Sequence, residues 1–543
     1  MDQQFYRMEG SIAVPTEFGQ NYIARITTDP KGQVYVFTRE AEPLMIAGAM
    51  ARLSRSSDDM RMVILKEFAG KSGEALNGLF RRVITGYGDD SVQQLMPLSI
   101  VVESCSNLLT KLLERGRFGA YLEQSTRYIY FDVKVYDANG NLVYRYYVPV
   151  YLPDVLKARY RADMDRIFGL YSSVVRDLSA FIREKVPFST KETDEAKVKQ
   201  DRTAWMGATR AQACDAARNM LPVATTSTVG IVGNAQMFDY LIMRLASHDL
   251  PEAKELGARL LAEVRKVAPQ FFERTDMPER GGAAINYRKE IKQGVRDIAK
   301  AWISPEEITA PGVEVNLVDY HPKDELSVVQ DLLWNGSGES YASISRQVAG
   351  FDQEQLVKVL QAGIGTRYNR RHRPGRSFEF AHFKWENVTD YGIFRDLQRH
   401  RPVDGMDWQD LTPFMGYEVP PVITEAGLEA SFREAFEISE KLYRELRANG
   451  FDQEAQYATL LGHRMRWRLA MNVRESFHFH EIRTGLDGHP GYRKVTKMKH
   501  DKFGEVYPMI AKAMQFVNTR EDPELTRIAG ERATQAKLAI LGD

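Results

Sequence analysis

Cysteine is scarce in this sequence: only Cys105 and Cys214 occur among its 543 residues. Two thiols are too few for a disulfide framework, and they cannot build a four-cysteine zinc site. Such low cysteine use is typical of proteins that work in a reducing compartment. We therefore expect a cytoplasmic protein.

Long apolar runs and an excess of charge of one sign are also missing. No stretch approaches the ~18 apolar residues of a transmembrane helix, and the N-terminal segment lacks the apolar run of a signal peptide. The 73 Lys and Arg residues balance 73 Asp and Glu residues, so the formal net charge is zero. Because duplex binding normally requires a basic face, we expect neither a membrane nor a nucleic-acid polymer as a partner.

Several familiar phosphate-binding and catalytic motifs are absent as well. The sequence has no Gly-x-Gly-x-x-Gly fingerprint, no Gly-x-x-x-x-Gly-Lys loop and no Ser nucleophile elbow. Its composition, with 43% hydrophobic and 27% charged residues, is that of a soluble globular protein. Its length is enough for roughly two to four domains.

Hydrophobic periodicity predicts an α+β protein with helices and strands mixed along the chain. Apolar residues at helical spacing predict long helices over residues 156–185 and 428–449. Short apolar runs predict buried strands over residues 95–102 and 315–320, and a further strand is predicted at residues 22–27.

A polar stretch over residues 278–311 is predicted to be a connection, because it contains a Gly-Gly pair and closes with Pro-Gly. Beyond it, the order of predicted elements repeats that of the first half. We therefore predict that residues 1–310 and 311–543 are two tandem copies of one domain, each with a mixed β-sheet flanked by long helices. Duplicated domains commonly pack about a pseudo-two-fold axis, as a homodimer does.

The most concentrated polar stretch of the first half begins at Arg115 and also contains Arg117. Within it Glu123, Ser125 and Arg127 occupy alternate positions, so an extended backbone would place all three side chains on one side. A carboxylate, a hydroxyl and a guanidinium suit a ligand with a phosphate and hydrogen-bonding base edges. On the residues alone, the alternative is a solvated strand edge with ordinary charge alternation.

The second half holds nine of the ten histidines and two polar groups of its own. One group, Arg399-His400-Arg401, ends a predicted helix, where cations can offset the helix dipole without any ligand. The other group is a run that contains Asn472, Arg474, His478, His480 and Arg483. Its histidines do not have the spacing of a two-histidine helical metal site, and no carboxylate partner is evident, so we expect no metal.

Together these residues resemble the signature of the flavin-dependent thymidylate synthases. That family carries Arg-His-Arg followed by Asn-Glu-x-Ser-x-Arg-Tyr, and the first half has Arg115-Gly-Arg117 followed by Glu123-Gln-Ser125-Thr-Arg127-Tyr128. The similarity continues through the ordered series Ala217, Arg218, Leu221, Pro222, Asn234, Arg244 and His248. It recurs in the second half in Arg399-His400-Arg401 and in the run from Asn472 to Arg483.

Each half departs from the family pattern in a different place. The first half has Gly116 where the family has histidine, whereas the second half replaces the nucleotide-binding segment by residues 404–412 and has Gln456 where the first half has Arg218. The resemblance implies that the first half keeps the groups for the nucleotide and the second half those for the flavin. The implied nucleotide-binding residues are Glu123, Ser125, Arg127, Arg218, Arg115 and Arg117. The implied flavin-binding residues are Arg399, His400, Arg401, Asn472, Arg474 and His478.

The resemblance implies a methyltransferase that converts dUMP to dTMP, with FAD as cofactor and NADPH and methylenetetrahydrofolate as co-substrates. Ser125 would fix the nucleotide, and Arg483, or alternatively Arg244, would stabilise negative charge on the uracil ring. Two alternatives stay open: a related flavoenzyme acting on another pyrimidine nucleotide, and a non-catalytic nucleotide or flavin binder. Family sites lie between the protomers of a homotetramer, so two copies per chain imply a homodimer with composite sites.

Overall fold

The computed structural model describes residues 4–71, 78, 90–116, 118–137, 139–304 and 311–541. The strands are β1 (Tyr6–Glu9), β2 (Ile12–Pro15), β3 (Pro97–Ser106), β4 (Ala120–Glu123), β5 (Val135–Tyr136), β6 (Leu142–Val143), β7 (Thr226–Asn234), β8 (Glu314–His321), β9 (His382–Asp390), β10 (Gly405–Trp408) and β11 (Arg464–Asn472).

The helices lie between these strands along the sequence. The longest ones occur where apolar residues recur most regularly at helical spacing. They are α1 (Glu17–Ile26), α2 (Pro43–Arg52), α3 (Met60–Val63), α4 (Asn107–Leu113), α5 (Asp154–Lys185), α6 (Glu195–Ala217), α7 (Ala235–Ala246), α8 (Pro251–Val267), α9 (Gly281–Trp302), α10 (Val328–Ser337), α11 (Tyr341–Val348), α12 (Gln353–Ile364), α13 (Tyr391–Leu397), α14 (Pro421–Glu425), α15 (Glu429–Ala448), α16 (Asp452–Ala455), α17 (Val473–Arg483), α18 (Pro490–Val506), α19 (Pro508–Ala513) and α20 (Ile528–Leu541).

The chain divides into two compact units, and each is built from more than one segment of the sequence. The first unit comprises residues 1–103, 112–123 and 228–305, and the second comprises residues 104–111, 124–227 and 306–543. These units do not follow the two halves of the sequence. A duplication concerns the origin of the halves rather than their contacts, so the division at residue 310 stays a prediction.

The first unit is organised on a small sheet with the strand order β3-β7-β4. β4 pairs antiparallel with β7, so that Ala120 lies opposite Val232. Helices α7 and α8 pack against each other beside this sheet. The apolar faces of these helices, with Phe238 and Leu260 buried, form its core.

The second unit contains a four-stranded antiparallel sheet with the order β10-β11-β9-β8. Its central strands bury Trp385 and Trp467 completely, as alternation along a half-buried strand requires. The long helices α5 and α15 pack along each other, and α6 packs on α5. Exposed ion pairs such as Arg166–Glu434, at 2.6 Å, border the α5–α15 contact.

Two predicted elements are wrong. Residues 22–27 fall largely in α1, because Ile23 and Ile26 form one buried helical stripe with Gly19. The predicted polar connection over residues 278–311 contains the 22-residue helix α9. Its exposed apolar residues Ile291, Val295, Ile298 and Trp302 recur at helical spacing.

The described part of the chain includes no helix that is both long enough and apolar enough to span a bilayer.

Candidate functional site

The strand that leads into the predicted nucleotide segment ends at Glu123, and the chain then turns. The hydroxyl of Ser125 accepts a hydrogen bond from the amide of Arg127 at 3.2 Å, a local bond that competes with strand pairing. The backbone is therefore not extended through Arg127, and the condition for placing Glu123, Ser125 and Arg127 on one side is not met. The turn sends the Arg127 side chain into the interior of the second unit, where it is 9% exposed.

Arg127 forms a two-pronged ion pair with Asp215 of α6. Its Nε and Nη2 donate to the two carboxylate oxygens at 2.8 and 2.9 Å. Burial would raise the pKa of Asp215, but the Arg127 guanidinium outweighs burial and lowers that pKa to about 2. Nη1 of Arg127 lies 3.4 Å from the hydroxyl of Tyr492. All three nitrogens of this guanidinium are thus engaged within the protein.

Arg218 lies at the C-terminal end of α6 and is 2% exposed. Its Nη2 donates to a carboxylate oxygen of Asp396 at 3.1 Å, while its Nε has no hydrogen-bond partner among the described residues. Burial would raise the pKa of Asp396, but Arg218 and then Arg127 hold it well below its ordinary value. Asp396 belongs to α13, a helix in which every residue is buried.

A third arginine reaches the same place from near the C-terminus. Arg527 is 3% exposed, and its Nη2 donates to Asp215 at 3.3 Å. Its guanidinium carbon lies 4.6 Å from the ring centre of Tyr128. Arg127, Asp215, Arg218, Asp396 and Arg527 are called the buried arginine cluster below. The cluster holds three guanidinium groups against two carboxylates.

A neutral histidine borders this cluster. The Nδ1 of His489 accepts the amide of Gly491 at 3.0 Å, and its Nε2 lies 3.2 Å from the carbonyl oxygen of Asp215. This pattern places the ring hydrogen on Nε2. Burial, followed by the charge of Arg218, lowers the pKa of His489 to about 3. His489 therefore adds no cation to the cluster at neutral pH.

A second group of polar side chains comes from the end of β11, from the segment that follows α13, and from α17. Asn472 caps α17 by accepting the amide of Glu475 at 2.8 Å, which fixes the start of this helix. His400 then lies between two partners: its Nδ1 is 2.9 Å from Glu475, and its Nε2 accepts from Nε of Arg483 at 2.7 Å. The ring of His478 lies 5.4 Å away. His400, Glu475, His478 and Arg483 are called the histidine cluster below.

The histidine cluster contains the residue types that bind metals, but three of its four side chains are already joined by hydrogen bonds. Ligand atoms of His400, Glu475 and His478 lie within 4.8 Å of one another. Both ring nitrogens of His400 are already engaged, and burial followed by Arg483 holds its pKa well below its ordinary value. Arg373 lies 3.6 Å from Glu475 and adds positive charge that disfavours a metal cation.

Tyr492 joins residues that the sequence places in different halves. The guanidinium carbons of Arg127 and Arg483 each lie 5.4 Å from the centre of its ring. One predicted nucleotide residue and one predicted catalytic residue thus contact the same side chain, within one compact unit.

The other residues predicted from the second half lie nearby in the sequence but differ in burial. Arg474 donates from Nε to the carbonyl oxygen of Pro374 at 2.9 Å and pairs with Glu379 at 3.3 Å. Arg399 is exposed and Arg401 is half-buried. These three side chains give the segment a basic character around the histidine cluster.

The remaining predicted residues belong to the first unit or fall outside the described residues. Arg244 donates from Nη2 to the carbonyl oxygen of Leu112 at 3.0 Å. Burial, followed by the charge of Arg115, lowers the pKa of Arg244 to about 10. Glu123 is buried in the same unit. Arg117 lies outside the described residues.

Sequence reasoning missed the anionic partners and the third arginine of the cluster. Asp215 could have been noticed, because it is a lone carboxylate in the small, apolar run Ala213-Cys214-Asp215-Ala216-Ala217. Asp396 and Arg527 carry no comparable local signal. Their pairing depends on the tertiary fold.

Two known proteins resemble this chain over most of its length, and a third resembles part of it. It is 30% identical to a UPF0159 protein of Chlamydia muridarum over 521 residues, which cover 92% of this chain and 95% of that protein. It is 29% identical to a UPF0159 protein of Thermoplasma acidophilum, over 89% of this chain and 97% of that protein. A probable flavin-dependent thymidylate synthase of Mycobacterium phage L5 is 26% identical over 227 residues, which cover 40% of this chain and 80% of that protein.

A solved structure, the UMP/dUMP methylase PolB from Streptomyces cacaoi bound with 5-Br dUMP, shows a weak similarity from which we draw no conclusion. The match has 18% identity and a TM-score of 0.31, and it covers 38% of this chain and 95% of that one. The family model described as thymidylate synthase complementing protein matches residues 36–270 and 316–509. The chain belongs to the thymidylate synthase complementing protein family.

Proposed function

We propose that this protein is a flavin-dependent thymidylate synthase, which methylates dUMP reductively to dTMP with methylenetetrahydrofolate and NADPH. The observation that carries the proposal is the buried arginine cluster, in which three guanidinium groups face two carboxylates. Buried guanidinium groups with unpartnered N–H donors are costly on their own, and a bound anion compensates them.

The phosphate of dUMP supplies such an anion. Arginine forks bind phosphate through two parallel hydrogen bonds, and the Nε of Arg218 is still without a partner among the described residues. Arg127 keeps Asp215 ionised and adds to the local positive field. In this proposal Arg218 binds the phosphate directly, while Arg127 and Asp215 hold the neighbouring side chains in place.

The relay in the histidine cluster positions Arg483 for the base. Glu475 accepts from Nδ1 of His400, and His400 in turn accepts from Nε of Arg483. This series of hydrogen bonds holds the Arg483 guanidinium through its Nε. The two Nη groups of Arg483 take no part in the series. A guanidinium held in this way stabilises negative charge that develops on the uracil ring. The alternative catalytic arginine, Arg244, belongs to the first unit and donates to a backbone carbonyl.

The residues around the histidine cluster fit the FAD that the family implies. Arg373, Arg401 and Arg483 all act on His400, so the surroundings favour an anionic group such as a pyrophosphate. The rings of His478 and Phe479 lie 5.4 and 4.5 Å from His400 and offer flat surfaces. Bound FAD would supply the redox chemistry by which NADPH drives the methyl transfer.

Two segments that match one family model support the further proposal that the chain is a duplicated domain. The groups retained in the second unit come from both halves and meet at Tyr492. We infer one composite site, with the nucleotide groups from the first half and the flavin groups from the second. A homodimer of such chains would match the tetramer of single-domain relatives.

The test combines a spectrum with a product assay. Purified protein reconstituted with FAD is expected to show a bound flavin spectrum and to release the C5 hydrogen of labelled dUMP when methylenetetrahydrofolate and NADPH are present. Protein that neither binds FAD nor is stabilised by it would contradict the proposal. Binding of flavin with C5-hydrogen release from UMP instead of dUMP would identify the related pyrimidine enzyme.

A further inference from the structure

The C-terminal segment lies beyond the part of the chain that resembles the family, yet it reaches the buried arginine cluster. The second matched segment ends at residue 509, and α20 begins at Ile528. Helix α20 packs along α6, the helix that carries Asp215 and ends at Arg218. An ion pair of 3.2 Å between Arg532 and Asp201 borders this contact.

The approach to α20 is fixed by hydrogen bonds to α17 and α18. Arg493 is fully buried, donates to the carbonyl oxygen of Thr484 at 2.9 Å and pairs with Asp522. The amide of Asn518 donates to the hydroxyl of Thr484 at 2.9 Å. These contacts hold residues 518–522 in one path and direct the following residues toward the cluster.

Arg527 is incompletely paired at the end of this path. Its hydrogen bond to Asp215, at 3.3 Å, is longer than the 2.8 and 2.9 Å bonds that Arg127 already makes to the same carboxylate. Its Nε and Nη1 are buried and have no hydrogen-bond partner in the described part of the chain. A guanidinium placed only to anchor the tail would be expected to satisfy these donors.

We propose that Arg527 is a phosphate-binding residue that the C-terminal segment adds to the nucleotide site. The inference rests on the proposed function, in which the buried arginine cluster takes a pyrimidine nucleoside monophosphate. Nε and Nη1 lie on different edges of the guanidinium group, so a phosphate oxygen can accept one charged hydrogen bond from either of them. With Nε of Arg218 also unpartnered in the described residues, the cluster offers donors from two guanidinium groups to one dianion.

Binding measurements on the full-length protein test this assignment with dUMP and deoxyuridine as probes. Arg527→Ala is expected to weaken dUMP binding by about tenfold or more, because a charged hydrogen-bonded contact is lost. It is expected to leave deoxyuridine binding within about twofold of the wild type, because the nucleoside lacks the phosphate. Arg527→Lys keeps the charge but not the planar guanidinium group. Its dUMP affinity should lie between those of the wild type and Arg527→Ala. Arg532→Ala, in helix α20 just after Arg527 but outside the cluster, is the matched control and should leave both affinities unchanged.

A purely structural role predicts a different result. In that case Arg527→Ala lowers the melting temperature while its dUMP affinity stays at the wild-type value, or its affinities for dUMP and deoxyuridine fall by the same factor. Either result overturns the assignment. Inorganic phosphate separates this failure from a failure of the proposed function. If the wild type binds neither dUMP nor deoxyuridine, the proposed function is wrong. Stabilisation by phosphate of the wild type but not of Arg527→Ala would still support Arg527 as an anion ligand, and no stabilisation of either would reject it.

Discussion

At the scale of single residues, the second unit is unusual in how many charges it buries. Arg127, Arg218 and Arg527 lie beside Asp215 and Asp396, all below 10% exposure. A buried ion pair contributes little net stability, but removing one partner leaves an uncompensated charge and is strongly destabilising. The carboxylates of the cluster are therefore the residues whose loss should be most costly.

Asp215→Asn is expected to lower the free energy of unfolding by about 3–5 kcal/mol, because two buried guanidinium groups lose their counter-charge. Asp201→Asn, on the same helix, removes a partly exposed pair with Arg532, while the asparagine can still bond the hydroxyl of Thr190, so it should cost no more than about 1 kcal/mol. Urea unfolding of both variants gives the comparison. Equal, small effects would show that the cluster is not buried in solution.

Glu475 predicts a pH dependence at the other cluster. Burial raises the pKa of Glu475 to about 7 from the ordinary 4.5, and Arg373, Arg474 and Arg483 oppose that rise. A raised carboxyl pKa gives stability that is complete below pH 4.5 and is lost as the pH rises through 7. Over that interval the wild type should lose about 3 kcal/mol relative to Glu475→Gln. Unfolding free energies of both proteins at pH 4.5, 6 and 8 measure the difference, and parallel curves would contradict it.

At the scale of elements, the sequence predicts long periodic helices better than interrupted ones. The helix predicted over residues 156–185 is observed as Asp154–Lys185, because its apolar stripe continues without Pro and is not interrupted at the single Gly169. Helix α9 was missed because Gly281-Gly282 indicated a break. The structure explains this pair: a Cβ at Gly281 would overlap the carbonyl oxygen of Thr275, so glycine is required at the start of the helix.

The site was predicted in the same uneven way. Motif spacing identified Arg127, Arg218 and Arg483 individually, but it gave no indication that Tyr492 lies between two of them. Spacing alone did not decide whether the backbone at Arg127 is extended, and the observed strand ends at Glu123, before the hydroxyl–amide bond of Ser125 and Arg127. Contacts between distant segments depend on packing, and a single sequence carries no pairwise signal for them.

A buried lysine packs against the central sheet of the second unit and forms no ion pair with a carboxylate among the described residues. Lys499 of α18 is fully buried, bonds Asn387 and lies 4.8 Å from the ring of Trp385 and 5.5 Å from that of Trp467. Burial holds its pKa well below the ordinary 10.5. The folded state therefore binds this proton less readily than the unfolded state, and wild-type stability rises with pH until about 10.5.

Lys499→Met should accordingly be more stable than the wild type at neutral pH, because it removes the cost of an uncharged or desolvated amine and keeps the side-chain volume. The advantage should shrink as the pH approaches 10. Thermal unfolding across pH 7–10 is the measurement. Lys494→Met, at an exposed position of the same helix, is the control and should show no such pH-dependent gain. A destabilised Lys499→Met at neutral pH would mean that the amine has a role beyond the core.

At the scale of the whole molecule, the two halves contribute unequally to one unit. The first half supplies Arg127, Asp215 and Arg218, and the second supplies His400 and Arg483. In the proposed duplication the position of His400 corresponds to Gly116 in the first half, which offers no imidazole. If duplicated copies share one composite site, the other possible site is no longer under selection and is lost. The number of FAD and dUMP molecules bound per chain therefore tests whether the site is divided.

Titration of the purified protein is therefore expected to give one FAD and one dUMP per chain, rather than two of either. Flavin absorbance after removal of free FAD gives the first number, and calorimetry with dUMP gives the second. His400→Gly, which recreates the first-half residue in the second half, should abolish flavin binding and leave dUMP binding measurable, because Arg127 and Arg218 are untouched. Two FAD per chain, or one FAD retained by His400→Gly, would show that the first half binds flavin without the histidine and that the division of the site is wrong.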